Sequence, residues 1–442
     1  MTTVALAAPA RVRTYAFPAA VAVVLTAFAS LLAWNVVQYE WVRAYDAWNG
    51  SQYALTLREQ GRLPTPEESN VWHTPPLFFG VAALLEAGAE RLALPGAPQR
   101  AAQMVGPIAA WVTAALAFLI ARELFPRSRT AQLATLGFAV LMPVLVRSGA
   151  MYHPEPLATA LTTAALYVAV RALTRDELDA REGVVVGVLL SLAILTRSWA
   201  LGAVAAVAFA FALRRQSAAV ALVAVVAGLT APWFVHQQVE RGSALAFNRE
   251  APQEPWLERR HAAYYTTLAV GEVFAGAPYE PQFLNRLWPT LYSDWWGDYW
   301  RYFEVPEPMT HAPPRLPDEY HRPRVLQSWV GLLPTGLIVG GFVALAWAAI
   351  RRRLLPLAVV LAVPPLLFAH WLVFQQTYPA PDGDTLKAVY LLNAAVPLAV
   401  CGGWALAGLR RTGRLVFASA LLLLAGVAYY DITFLVLPAA SG

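Results

Sequence analysis

Three things are nearly missing from this chain. Cysteine occurs once in 442 residues, at Cys401 inside an apolar run, which excludes an intrachain disulfide framework and a cysteine-built metal cluster. Lysine also occurs once, at Lys387, so arginine supplies 32 of the 33 basic residues (33 minus 1). With abundant Ala, Val and Leu, that imbalance reads as the codon bias of a GC-rich genome. Charge is the third shortage. Asp, Glu, Lys and Arg make up 14% of the chain and hydrophobic residues 58%, against about 25% charge in a soluble domain. The net charge of +5 does not point to nucleic acid, because the arginines sit in pairs and triplets at the ends of apolar runs.

What the chain has instead is long apolar runs. Runs of about 20 residues match the hydrocarbon thickness, and helices satisfy their own backbone there. Spans are expected at 15–37, 103–121, 131–149, 156–173, 183–197, 199–213, 217–235, 327–349, 354–374, 386–408 and 415–437. Ala27-Phe28-Ala29 has the form of a signal-peptidase site, but the run continues past it, which predicts an uncleaved first helix. Arg122/Arg127/Arg129, Arg171/Arg175/Arg181, Arg214/Arg215, Arg351/Arg352/Arg353 and Arg410/Arg411/Arg414 fall on alternate connections, on the side of the N-terminus. The positive-inside rule then gives a multi-pass protein of the plasma (inner) membrane, all-α, with eleven spans and a cytoplasmic N-terminus. Thr196-Arg197-Ser198-Trp199 is expected to be a tight outer turn between two helices, the alternative being one long helix with a snorkelling Arg197. The segment from Leu77 to Ala93 carries Glu86, Glu90 and Arg91 and reads as an amphipathic interfacial helix.

Two large extracytoplasmic segments remain, about 38–102 and 236–326, rich in Pro, Trp, Tyr and acids, within one domain covering 1–442. Bulky polar structure on one face places the chemistry there. Asp46 lies about nine residues past the first span, flanked by Tyr45 and Trp48, where partial desolvation would raise its pKa and suit it to take a proton from an acceptor hydroxyl. The plainer reading of Asp46 is an interfacial helix cap.

The order of short motifs resembles the GT-C superfamily of membrane glycosyltransferases. It is most similar to the branch holding protein mannosyltransferases and lipid A aminoarabinose transferase-like enzymes (glycosyltransferase family 39). An acid just after the first helix is followed by Gly61-Arg62-Leu63-Pro64 and His73-Thr74-Pro75-Pro76-Leu77. Then come His153-Pro154-Glu155-Pro156-Leu157-Ala158, Leu195-Thr196-Arg197-Ser198, Tyr292-Ser293-Asp294-Trp295-Trp296-Gly297 and Lys387-Ala388-Val389-Tyr390-Leu391-Leu392. The chain departs from the pattern at Thr74, where the aminoarabinose branch often has Lys. It departs again at Ala47, where many relatives have a second acid, leaving Asp46 alone.

The resemblance implies an inverting transferase that moves a sugar from a polyprenyl-phosphate donor to an extracytoplasmic lipid, glycan or protein acceptor. Asp46 would be the base. The leaving phosphate needs cations as its charge develops, which implies Lys387 and Arg197 with Tyr390 as its binding residues; Arg147 reads as an interfacial anchor. His73, His153, Glu155, Trp295 and Trp296 are the candidates for acceptor or sugar contacts, and Glu155 could equally cap the fourth span. The resemblance leaves open a divalent metal ion held by His73 and a carboxylate, without any tight ligand spacing to support it. The aromatic run 288–303 suits sugar stacking or an interfacial belt. Asp294 and Asp298, four apart, are expected on one helix face. A lipid or solute transporter or flippase is the alternative from another class; the missing internal repeat and the few mid-span charges argue against it.

Overall fold

The computed structural model describes residues 10–245, 261–279, 282–283, 286–303, 321–377, 386–415, 417–418, 420–422 and 424–426. All regular structure among the described residues is helical. From the N-terminus come α1 (Ala10–Gln38), α2 (Ala47–Gln60), α3 (Leu77–Arg91), α4 (Gln99–Gln103), α5 (Val105–Leu124) and α6 (Arg129–Val140). They are followed by α7 (Pro143–Ser148), α8 (Glu155–Arg175), α9 (Ala180–Thr196), α10 (Leu201–Arg214) and α11 (Gln216–Arg241). The later chain gives α12 (Ala262–Thr266), α13 (Val270–Ala275), α14 (Leu287–Trp296), α15 (His321–Arg352), α16 (Leu355–Thr377) and α17 (Ala395–Thr412).

Local chemistry sets the boundaries. Ser128 caps α6 by accepting the Ala131 N–H at 3.2 Å, and Asp179 with Glu182 forms a capping box at the start of α9. Pro156 stands in the first turn of α8, where its missing N–H is harmless, and α2 ends at Gly61 in the left-handed region (φ 64°).

Seven helical stretches among the described residues are long and apolar enough to cross a membrane: α1, α4–α5, α8, α11, α15, α16 and residues 388–410. The expected count of eleven is not reproduced as eleven such helices. The span at 131–149 is two short helices, α6 and α7, broken before Pro143, which cannot donate into the helix preceding it. The stretch 183–213 is the shorter pair α9 and α10, joined by extended Arg197 and a 3₁₀ turn at Ser198–Ala200. That join is the expected turn, and it overturns the single-helix alternative. Most of 415–437 lies outside the described residues.

In the bundle α5 packs on α8, α8 on α9, and α9 on α11, while α17 lies between α6 and α15. Close approach there depends on glycine. A Cβ on Gly341 of α15 would lie 2.1 Å from the Cys401 carbonyl oxygen, and one on Gly403 would lie 2.4 Å from the Thr135 nitrogen. Small residues at helix contacts serve this purpose in membranes, where burial of apolar surface gives no drive between helices.

The chain reverses at two ends. At one, short connections carry the arginine clusters. At the other, α2 and α3, the joints α7–α8 and α9–α10, α14 and residues 386–394 come together. The amphipathic helix α3 is present, but Glu86 turns inward, buried, where it accepts the Tyr152 hydroxyl hydrogen bond at 3.0 Å. Burial pushes its pKa up to about 7.

Candidate active site

Asp46 sits just beyond α1, in the left-handed region (φ 52°), a conformation that costs a non-glycine residue about 1 kcal/mol or more. Its carbonyl receives the Gly50 N–H, but its carboxylate makes no capping hydrogen bond. The side chain is exposed and lines a small recess with Tyr45, Thr74, Tyr152, His153 and Arg197. The expectation of a partly desolvated Asp46 is therefore corrected: in this state the carboxylate is open to solvent. Asp46 does occupy the cap position of α2, but without a capping hydrogen bond from its side chain, which lines the recess instead. Gly50, one turn on, is forced by its neighbours, since a Cβ there would lie 3.0 Å from the Phe79 ring and 3.2 Å from Tyr152.

The back of the recess is ionic. Glu155, the first residue of α8, is 2% exposed and stands between two nitrogen partners, Arg197 Nε at 2.6 Å and His153 Nδ1 at 2.5 Å. These are ion-pair contacts rather than aligned hydrogen bonds. Arg197 Nη1 also donates to Thr74 Oγ1 at 3.1 Å, and its guanidinium lies 5.8 Å above the Tyr390 ring. Glu155 thus anchors the cation that the α9–α10 turn brings to the site. His73, next to Thr74, is not among the recess-lining residues; burial, with Arg197 nearby, lowers its pKa to about 3, so the ring stays neutral.

Lys387 enters from the other side. It is buried, with its ammonium 4.8 Å from the Tyr45 ring centre and 5.9 Å from both Trp300 and Tyr302, within cation–π range. Its backbone is pinned on both sides: the Leu386 carbonyl accepts the Trp300 indole N–H at 3.3 Å, and the Ala388 N–H donates to Asp294 Oδ2 at 2.7 Å. Asp294 in turn faces buried Arg147, which is 3.6 Å from its carboxylate and also donates to its carbonyl oxygen. Arg147 bonds Asp298 Oδ1 at 2.8 Å, and Asp298 Oδ2 accepts the Phe303 N–H at 2.7 Å. Burial pushes the Asp294 carboxyl up to about 6, against the pull of Arg147 and the Ala388 N–H. The Tyr45 hydroxyl is raised well above its usual value, chiefly by burial and secondarily by Asp294.

Several expectations change here. Asp294 and Asp298 do not share a helix face: α14 ends at Trp296, and Gly297 (ψ −145°) turns the chain so that both acids converge on Arg147. Arg147 is 3% exposed and is a buried organiser rather than an interfacial anchor. Trp295 and Trp296 are not among the recess-lining residues, and the Trp296 indole donates to Thr335 of α15 at 2.8 Å. The aromatic rings around Lys387 are Tyr45, Trp300 and Tyr302 instead. Tyr45, Trp300 and Tyr302 are absent from the expected site; the sequence signalled Trp300 and Tyr302 only as members of the aromatic run 288–303, and Tyr45 only as the neighbour of Asp46. Among the described residues no three His, Cys, Asp or Glu side chains come together to hold a metal ion.

Against known proteins, residues 75–236, just over a third of the chain, match the family described as dolichyl-phosphate-mannose-protein mannosyltransferase. No curated protein sequence matches the chain. Among solved structures, ArnT from Cupriavidus metallidurans in the apo state superimposes with a TM-score of 0.52 at 14% identity, over 91% of this chain and 62% of ArnT. ArnT bound to undecaprenyl phosphate gives 0.52 at 15% identity, over 95% and 64%. The Archaeoglobus fulgidus oligosaccharyltransferase AglB, in complex with an inhibitory peptide and a dolichol-phosphate, gives 0.53 at 14%, over 93% and 55%. The chain therefore spans roughly half to two thirds of the length of these proteins. At such identity the likeness is one of fold: this is a multi-pass membrane protein with the fold of the GT-C glycosyltransferases.

Proposed function

We propose that the chain is an inverting glycosyltransferase that moves a sugar from a polyprenyl-phosphate donor to an acceptor hydroxyl, with the recess as its active site. The observation that carries this reading is the convergence, at one end of a GT-C bundle, of an exposed, strained carboxylate (Asp46) with a guanidinium (Arg197), while an ammonium (Lys387) lies behind the Tyr45 ring. The neighbours in complex with undecaprenyl phosphate and dolichol-phosphate support the donor class by analogy of fold. The orientation that goes with it has the arginine-rich end and the N-terminus in the cytoplasm and the recess outside, on the plasma membrane.

In this mechanism Asp46 takes the proton of the acceptor hydroxyl as its oxygen attacks the anomeric carbon. The bond from that carbon to the phosphate oxygen breaks, and polyprenyl phosphate leaves with the electron pair. Arg197, held by Glu155, and Lys387, held through Asp294, offset the charge that develops on the phosphate. Tyr390 backs the guanidinium, and His153 fixes the far side of Glu155.

The test is transfer from a panel of radiolabelled polyprenyl-phosphate sugars to membrane acceptors by the purified protein. Wild type should transfer from at least one donor, and Asp46→Asn should lose at least a hundredfold in rate with donor binding retained. Full activity in Asp46→Asn would refute the base assignment. Movement of an unmodified lipid or solute across vesicles, with no donor consumed, would favour a transporter.

A further inference from the structure

The arginine-rich end carries a second built feature, far from the recess. Two hollows adjoin there and share Arg129 and Thr130. One, of about 430 Å³, is apolar and runs from Arg129 along α6 past Gly137 to Leu141, between α1, α15, α17 and Leu421, Leu424 and Ala425, and it closes at its far end on Pro334 of α15 and Trp296 of α14. The other, of about 920 Å³, opens at the α5–α6 connection and is rimmed by Arg127, Arg129 and Arg410, with Trp404 in its wall.

The three arginines are exposed, and among the described residues neither hollow has an Asp or Glu in its lining. Glu123, the acid at that end of α5, is committed to Arg175 at 2.7 Å. Arg410 donates to Thr130 Oγ1 at 3.1 Å, and Arg129 lies 5.3 Å over the Phe17 ring, so both guanidiniums are held where the two hollows meet. From Arg129 to Leu141 the helix rises twelve residues, about 18 Å. One leaflet of a hydrocarbon core about 30 Å thick is roughly 15 Å deep. The apolar hollow is thus at least as deep as one leaflet, and it starts at a cluster of cations with an interfacial tryptophan beside it.

We infer that this is a binding site for an anionic membrane phospholipid, with one acyl chain along α6 and its phosphate among Arg127, Arg129 and Arg410. Basic pockets between membrane helices recognise anionic headgroups in this way, and each arginine near the surface adds about a factor of five in affinity. A zwitterionic lipid offers the same chains without the net charge. A polyprenyl tail from the recess end is the competing occupant of the apolar hollow.

The full-length protein in neutral detergent is titrated with phosphatidylglycerol and with phosphatidylcholine of the same chains, and bound lipid is counted by native mass spectrometry. Phosphatidylglycerol should bind at least tenfold more tightly. Arg129→Ala with Arg410→Ala should weaken it about 30-fold, and the paired Lys substitutions should retain most of it. Gly137→Leu leaves the arginines untouched and fills the apolar hollow; a Cβ at Gly137 meets nothing within 4 Å, so the variant should fold. It too should lose phosphatidylglycerol. Equal binding of the two lipids, undiminished binding in either variant, or displacement by equimolar polyprenyl phosphate would each overturn the assignment. If the double Ala variant does not fold, the wild-type lipid comparison and Gly137→Leu decide the matter alone.

Discussion

Asp294 offers the sharpest test of how the site is held, because it braces the backbone beside Lys387. Its Oδ2 accepts the Ala388 N–H at 2.7 Å in a fully buried setting, one residue from the ammonium. Asp294→Ala leaves that N–H without its acceptor, a loss of about 1–3 kcal/mol for a buried donor. If most of the loss passes to the placement of Lys387, kcat/KM for the donor should fall roughly ten- to a hundredfold, at 1.4 kcal/mol per factor of ten. The assay is a double-mutant cycle on donor turnover with Lys387→Ala. A positioning role makes the double variant no worse than Lys387→Ala alone, with a coupling as large as the single Asp294 effect. Effects that simply multiply, or a drop in folded protein with kcat and KM unchanged, would refute the reasoning. The pH dependence gives an independent readout. With a pKa raised from 3.8 to about 6, Asp294 contributes stability that is fully present below about pH 3.8 and is lost as pH rises through about 6. Asp294→Asn should remove that fall from the stability profile.

Three further outcomes follow from named contacts. Glu155→Gln strips the buried partner from Arg197 at 2.6 Å and should destabilise the protein by about 3 kcal/mol, read as a lower melting temperature in detergent together with a raised donor KM. Glu86, its pKa raised by burial to about 7, contributes stability that is present below pH 4.5 and lost as pH rises through about 7, so Glu86→Gln should flatten melting temperature against pH over that window. Lys387→Arg keeps the charge but asks a box of three rings around a compact ammonium to hold a planar fork; donor kcat/KM should fall about tenfold or more, and a wild-type value would refute the role of the ammonium.

The bundle was legible because its signal is long and repeated. Apolar runs bounded by arginine clusters give the helices and the end at which polar structure gathers, and Pro154-Glu155-Pro156 marks the start of α8 within a residue of its place. Less legible was the difference between one span and two short helices. Residues 131–149 are apolar throughout, yet Pro143 divides them. Apolar content reports the surroundings of a residue, and it is blind to where the backbone hydrogen bonds stop.

The recess was legible to the extent that its residues stand beside helix ends, where a turn leaves little freedom. Asp46, His153, Glu155 and Arg197 each sit within two residues of such an end. The shell behind Lys387 was not, because its members are bound by contacts at long sequence separation: Arg147 to Asp298 across 151 residues, and Ala388 to Asp294 across 94. A spacing of four between Asp294 and Asp298 invites a helical reading, and only the turn at Gly297 replaces a shared face with a shared partner. The lone lysine was conspicuous by composition, but composition could not show that it is buried. An ammonium buried against three rings pays for its lost water through those rings and through its carboxylate-braced backbone. This requires the aromatic segment 299–303 and the segment at 386–388 to be assembled together, and makes the placement of the cation a property of the whole outer end.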